Sequence, residues 1–408
     1  MKRALTITAT ALLGLAATMA GTVVPAAADG TITWAAANST ATGDQDNSAV
    51  SAVRNGYVAV VWEDDRDTAA PENPVHSDVW IRLYRDGTSL YEKKLSAGGE
   101  GNWSHLHPDV ALHDDGTAVV VWADDKDGNG YYQIAVRTLN AAGTVTGSAT
   151  ANANSDGQQI NPAVAADPDG AGFAVAFEDK QGTAAPTVRL SGFNSITAKA
   201  YEVQVHAAGG TNQRPDVAMG AAQNAIVVWD EDADANGYFN VARKAFTPSG
   251  GVRLAQSVVN AIGDGQQRHA SVAANFNGDH VVGWETDHTG TVQIGVRSFS
   301  ATGAASSAVD TYVPGTDPQV GIDDQRAAVV TWTEAQDIFV QGLNPDGTTT
   351  GRQPRITANT NVTGRQDEPA LGVDAWGQIV MTYTDDADGN TFDQVYLGTG
   401  LNNSTWPG

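Results

Sequence analysis

Three short loops of this 408-residue chain carry acids at a spacing that could hold a metal ion. Asp125-Lys126-Asp127-Gly128-Asn129-Gly130 and Asp232-Ala233-Asp234-Ala235-Asn236-Gly237 put side-chain oxygens on alternate residues, with a glycine to permit the sharp turn. Asp386-Ala387-Asp388-Gly389-Asn390 repeats the pattern with Thr391 where the glycine stood, and Asp65 with Asp67 keeps half of it. Oxygens at this spacing suit a hard cation, as in the opening of an EF-hand loop. The twelfth loop positions are Val136, Arg243 and Leu397 rather than the closing glutamate. Ca²⁺, the cofactor these loops would take, would therefore need backbone carbonyls, water or acids such as Asp124 and Glu231 to complete its shell. The competing reading is that Asp, Asn and Gly simply make good hairpin turns.

A second group of residues suits recognition of a polar ligand. Gln45, Gln159, Gln267 and Gln366 recur at one position between repeats, with His105 there in the second. Trp103, His107, Arg214, Arg268 and His269 lie nearby in the chain. Acids, amides, imidazoles and an aromatic gathered on one face fit a glycan or peptide. The candidate ligand set is Trp103, His105, His107, Gln159, Arg214, Gln267, His269 and Gln366. Trp103, Tyr131, Tyr132 and Tyr238 are candidates for stacking on sugar rings. His105 and His107, on alternate strand residues, form a weaker transition-metal pair with no third ligand. The glutamines have a plainer reading, as hydrogen-bonding links between neighbouring repeats.

The elements that must position these residues come from a repeat. Short apolar runs end in an aromatic at Trp62, Trp122, Phe177, Trp229, Trp284, Trp332 and Tyr383, at spacings of 60, 55, 52, 55, 48 and 51 residues. A period near 50 marks a solenoid, propeller or array. Each unit reads as a Pro-x-Val-Ala-like strand, a turn, the β-branched run to the aromatic, an acidic loop, an alternating strand and a weaker fourth strand. Seven such units predict an all-β chain, a seven-bladed β-propeller of four-stranded antiparallel blades. The last unit lacks its fourth strand, and residues 31–38 resemble the segment before the seventh unit, so the N-terminal strand is expected to close the ring. Blades are expected near 43–100, 101–157, 158–210, 211–265, 266–315, 316–364 and 365–408. In this geometry the second-to-third-strand loops and the inter-blade links share one face. Arg82, Arg137, Arg189, Arg243 and Arg297 hold one third-strand position, and Asp64, Asp124, Asp179, Glu231, Glu334 and Asp385 stand two places after the aromatic. Both rows read as scaffold, paired across strands.

On these units and loops the chain resembles secreted bacterial propeller repeats, including calcium-loop propellers of the integrin-like FG-GAP type. The resemblance implies a propeller, calcium in the loops and an extracellular binding or adhesion role. The Phe-Gly and Gly-Ala-Pro elements of that family are missing, so its ligand-binding roles do not carry over.

Residues 1–28, with Lys2 and Arg3 before an apolar run and Val24-Pro25-Ala26-Ala27-Ala28, read as a secretory signal peptide. The chain carries 23 Lys and Arg against 47 Asp and Glu, a net charge of −24, and loss of the leader removes two more positive charges. Such a surface disfavours nucleic acid and anionic lipid. Without cysteine, thiol chemistry is excluded. The expectation is a secreted, monomeric binding or adhesion propeller, calcium-stabilised, for a glycan or cell-surface protein. The alternative is a propeller hydrolase or lyase on extracellular polysaccharide. The sialidase-type Ser-x-Asp-x-Gly-x-Thr-Trp box and the Gly-x-Ser-x-Gly elbow are both missing.

Overall fold

Strand runs such as Tyr57–Asp64 and Ala118–Asp124 are apolar at nearly every position because both of their faces are covered. In the computed structural model, each forms the second strand of a four-stranded antiparallel sheet, and seven such sheets make up the propeller. The structure describes residues 32–66, 77–96, 104–182, 184–207, 209–306, 310–349, 355–361, 363–386 and 392–403. The proposed leader, Trp103, Asp388 and Asn390 lie outside them. Among the described residues no helix is long and apolar enough to cross a membrane.

The first strands of the blades are Gln45–Ala52, His105–Leu112, Gln158–Ala166, Thr211–Gly220, Gln267–Ala274, Thr316–Ile322 and Gln366–Val373. They contact one another in sequence and return from the seventh to the first, so they surround the axis. The expected closure is present. Thr33–Ala36 pairs with Gln394–Asn402 in the register Thr33↔Thr399 to Ala36↔Tyr396, completing the seventh blade.

Hydrophobic burial is organised between blades. Seven core clusters occupy the seven blade–blade interfaces. The aromatic anchors are their centres, each at most 1% exposed. Trp122 shares a core cluster with Val61 and Leu83 of the blade before it, and Trp62 with Val380 and Leu397 of the seventh. Burying an aromatic of this size contributes on the order of 3 kcal/mol.

The arginine row does something other than expected. Arg189 meets Asp179 at 3.3 Å, but Arg82 and Arg297 donate at 2.8 Å to the Ala37 and Val259 carbonyls of the preceding blade. Arg137 does the same to Leu95. Those acids instead face the link residues across the first two strands, as in the pairs Gln159↔Asp179 and Gln366↔Asp385.

Candidate functional site: a polar funnel on the propeller axis

All seven first strands break register at one place, two residues before the β-branched run resumes. At the break stand Asn47, His107, Asn161, Arg214, His269, Asp317 and Glu368, with φ between 47° and 54°. A left-handed non-glycine residue costs about 1–2 kcal/mol and persists only where its surroundings hold it. Two features hold it here. Proline follows in five blades (Pro108, Pro162, Pro215, Pro318, Pro369), so no backbone donor is stranded at the bulge. An acid also receives the bulge N–H from the preceding blade. His107 N donates to Glu63 Oε1 at 2.7 Å, Arg214 N to Glu178 Oε2 at 3.3 Å, Asp317 N to Glu285 Oε1 at 3.0 Å and Asn47 N to Glu368 Oε2 at 2.9 Å. Asp230 receives His269 N in the same way.

The bulges form a rim around a cavity of about 390 Å³, lined by His107, Asn161, Arg214, His269 and Asp317. Round the ring, blades two to five present His, Asn, Arg and His, whereas blades six and seven present Asp and Glu. Arg214 Nη1 lies 3.5 Å from Asp230 Oδ2. His269 Nδ1 lies 2.9 Å from Glu285 Oε2, and Arg268 Nε is 3.8 Å from the same oxygen. Asn161 Nδ2 donates to Glu178 at 3.1 Å. Deeper in the cavity, Asp109 and Asp216 staple adjacent blades by accepting Val164 N and Val272 N, each at 2.7 Å.

Burial in this acid-rich throat shifts proton affinities. Desolvation and then Glu285 push the Asp317 carboxyl up against a hydrogen bond from Thr316, with Glu368 adding to the effect. Glu63 is pushed up to about 8, by burial first and Glu368 second, against the bond from His107 N. Its cross-strand partner Asp46 is raised as well, by burial and by Glu63. The His107 imidazole is lowered by burial, which outweighs Glu368. Glu285 goes the other way: burial raises it, but bonds from His269 and Asp317 N leave it below its ordinary value.

Of the residues singled out from sequence, His107, Arg214 and His269 come together on this rim. His105 does not join them. It is 4% exposed, with Nδ1 2.7 Å from Asp124, so it makes no metal pair with His107. Gln159, Gln267 and Gln366 are at most 1% exposed and belong to the scaffold. Gln159 and Gln366 reach Asp179 and Asp385, and Gln267 receives the Trp284 indole N–H at 2.9 Å. These contacts remove them from any ligand. Asn47, Asn161, Asp317, Glu368 and the acid row directly after the anchors (Glu63, Glu178, Asp230, Glu285) were missed by sequence reasoning.

The acidic loops lie on the funnel face, but their oxygens are already in use. Asp125 accepts Asn129 N and Gly130 N at 3.0 and 3.1 Å, and Asn129 Nδ2 donates to Asp127 at 2.9 Å. Asp232, Asp234 and Asn236 repeat these bonds. An amide N–H₂ turned toward the carboxylate is the wrong group for a cation. In this geometry the residues do not fit Ca²⁺; they fit a locked hairpin turn. Asp386 differs again, accepting Arg365 N at 2.6 Å just as Asp287 accepts Gln266 N. The described residues with a metal-like grouping are His269, Glu285 and Asp317, whose donor atoms lie within 4.8 Å of one another. That cluster is closed by its own hydrogen bonds, with Arg268 as counter-charge.

No family model matches the chain, and no curated protein does. Solved structures do. The polysaccharide lyase Uly1 is 14% identical with a TM-score of 0.54, over 89% of this chain and 90% of that one. A GH93 α-L-arabinofuranosidase of Fusarium graminearum, in complex with arabinobiose, is 12% identical with a TM-score of 0.50, over 88% and 94%. A protein of unknown function from Dyadobacter fermentans DSM 18053 is 13% identical with a TM-score of 0.52, over 72% and 94%. At these identities the likeness is one of fold.

Proposed function

We propose that the chain is a secreted enzyme that cleaves polysaccharide outside the cell, with the reaction in the central funnel. The observation that carries this reading is the divided rim, where a polar and basic arc over blades two to five adjoins two carboxyls over blades six and seven, with raised acids beneath. Glycan cleavage needs one proton delivered to the leaving oxygen and another removed, from water in hydrolysis or from carbon beside a carboxylate in elimination. With Nδ1 set 2.9 Å from Glu285 Oε2, His269 Nε2 is the ring nitrogen that would take a proton from substrate. Asp317, its carboxyl raised, is the donor beside it on the next blade, within 4.8 Å. Arg214 is placed for a substrate carboxylate or the negative charge that develops during reaction. Two proteins of the same fold, a polysaccharide lyase and an arabinofuranosidase, are named for carbohydrate chemistry, which favours catalysis over adhesion.

The test is a screen of purified chain on arabinans, xylans and polyuronates, followed by reducing ends and by absorbance of unsaturated product. Turnover abolished by His269→Ala and Arg214→Ala supports the reading, and the type of product separates hydrolysis from elimination. Retention of a polysaccharide with no product from any substrate would return the chain to a binding or adhesion role.

A further inference from the structure

We infer that Tyr131 and Tyr238 are a matched pair of sugar-stacking platforms that hold a polysaccharide across the funnel face. The inference rests on the proposed glycan function for its choice of ligand. The two rings leave the equivalent loops of blades two and four and are 52% and 55% exposed. Their chain neighbours behave differently: Tyr132 packs into the interface between blades two and three, and Phe239 is half-buried.

The loops beneath the two rings are duplicates. Tyr131 N and Tyr238 N each donate to the preceding Asn Oδ1 at 2.7 Å. Gln158 Nε2 donates to Gly130 O at 2.7 Å and its Oε1 accepts Tyr132 N at 3.2 Å. Gln266 does the same to Gly237 O at 2.9 Å and Phe239 N at 3.2 Å. Each loop is thus tied to itself by its acids and to the next blade by one glutamine. Gly130 and Gly237, with φ 78° and 85°, have open space around them, so their role is conformational.

None of this network packs a core. What it fixes is the backbone from which one exposed ring projects. Tyrosine carries a flat apolar face with only two side-chain torsions to freeze, so a ring on a fixed backbone loses little entropy on contact. Glycan rings offer the complementary apolar C–H face. The two platforms stand on blades two and four, so a chain touching both passes over blade three. The Asp-x-Asp-x-Asn-Gly pattern is then a device for aiming tyrosines.

Affinity electrophoresis in native gels containing soluble arabinan, xylan or polygalacturonate tests this. At least one polymer should retard the wild-type chain, with apparent affinity reduced tenfold or more in the Tyr131→Ala/Tyr238→Ala double variant. The Phe double variant, which keeps both rings, should be retarded like wild type, and both should melt like wild type because the rings are exposed. No retardation by any polymer, or retardation unaffected by removing both rings, overturns the inference. Retardation that needs the tyrosines in a chain with no cleavage activity would leave this inference standing while the catalytic reading fell.

Discussion

His269 Nδ1 and Glu285 Oε2, 2.9 Å apart, join the first and second strands of one blade at the throat of the funnel. The other Glu285 oxygen accepts Asp317 N of the next blade at 3.0 Å. One carboxylate thus orients a candidate base and positions the residue carrying the candidate acid. Replacing His269 by Ala is expected to lower kcat by about 10²–10⁴, the usual worth of a positioned general base. Glu285→Gln should lower kcat less and leave polysaccharide retention intact. Equal turnover in both variants and wild type would dismiss the pair.

Glu63 predicts a pH dependence of stability. Its carboxyl, about 8 in the fold against an ordinary 4.5, binds a proton more tightly folded than unfolded. The stabilisation is therefore complete below about 4.5 and lost as pH rises toward 8. Because Asp46 competes for the proton, the realised effect should be about 1–2 kcal/mol, less than Glu63 alone would contribute at about 1.36 kcal/mol per pKa unit. Glu63→Gln keeps an acceptor for His107 N and should flatten thermal stability between pH 5 and 8, melting above wild type at pH 8. A parallel fall in both proteins would contradict the assignment.

Ring closure depends on Asn38, buried at 4%. Its Nδ2 donates to Gln45 at 2.9 Å and Gln394 at 2.8 Å, pinning the closing strand between blades one and seven. Trp34 adds an edge-on contact with Tyr383 at 4.6 Å and an indole N–H bond to Ala358 O at 2.8 Å. Asn38→Ala should cost about 1–3 kcal/mol by stranding buried partners, and Trp34→Ala a comparable amount. Unchanged melting in both would mean that closure contributes little.

The acidic loops should be indifferent to calcium. Asp125 and Asp232 each already accept two backbone N–H groups, so EDTA or millimolar Ca²⁺ should leave the melting temperature unchanged. A rise with Ca²⁺ that Asp125→Asn and Asp232→Asn remove would show that the loops reopen around the ion.

Architecture was legible in the sequence because the anchors face the same interface in every blade and keep one residue class, from Trp62 to Tyr383. The closing strand was legible for the same reason. The site was only partly so. Its seven rim positions share a backbone conformation but no side-chain type, from Asn47 to Glu368, so the repeat signal vanished there. Its one trace was the proline that follows in five blades. Acids one place after the anchor were passed over for those two places after, although it is Glu63 and Glu285 that reach the funnel and Asp179 and Asp385 that stay in the scaffold. The loops stayed ambiguous because Asx turns and cation sites share the same residues.

The most direct measurement is a crystal structure of the chain soaked with an arabino- or uronate oligosaccharide that it is found to bind or release. The account predicts sugar density in the funnel, within hydrogen-bonding distance of Arg214, His269 and Asp317. Density confined to the outer rim of the blades or the opposite face, with the funnel empty, would contradict it.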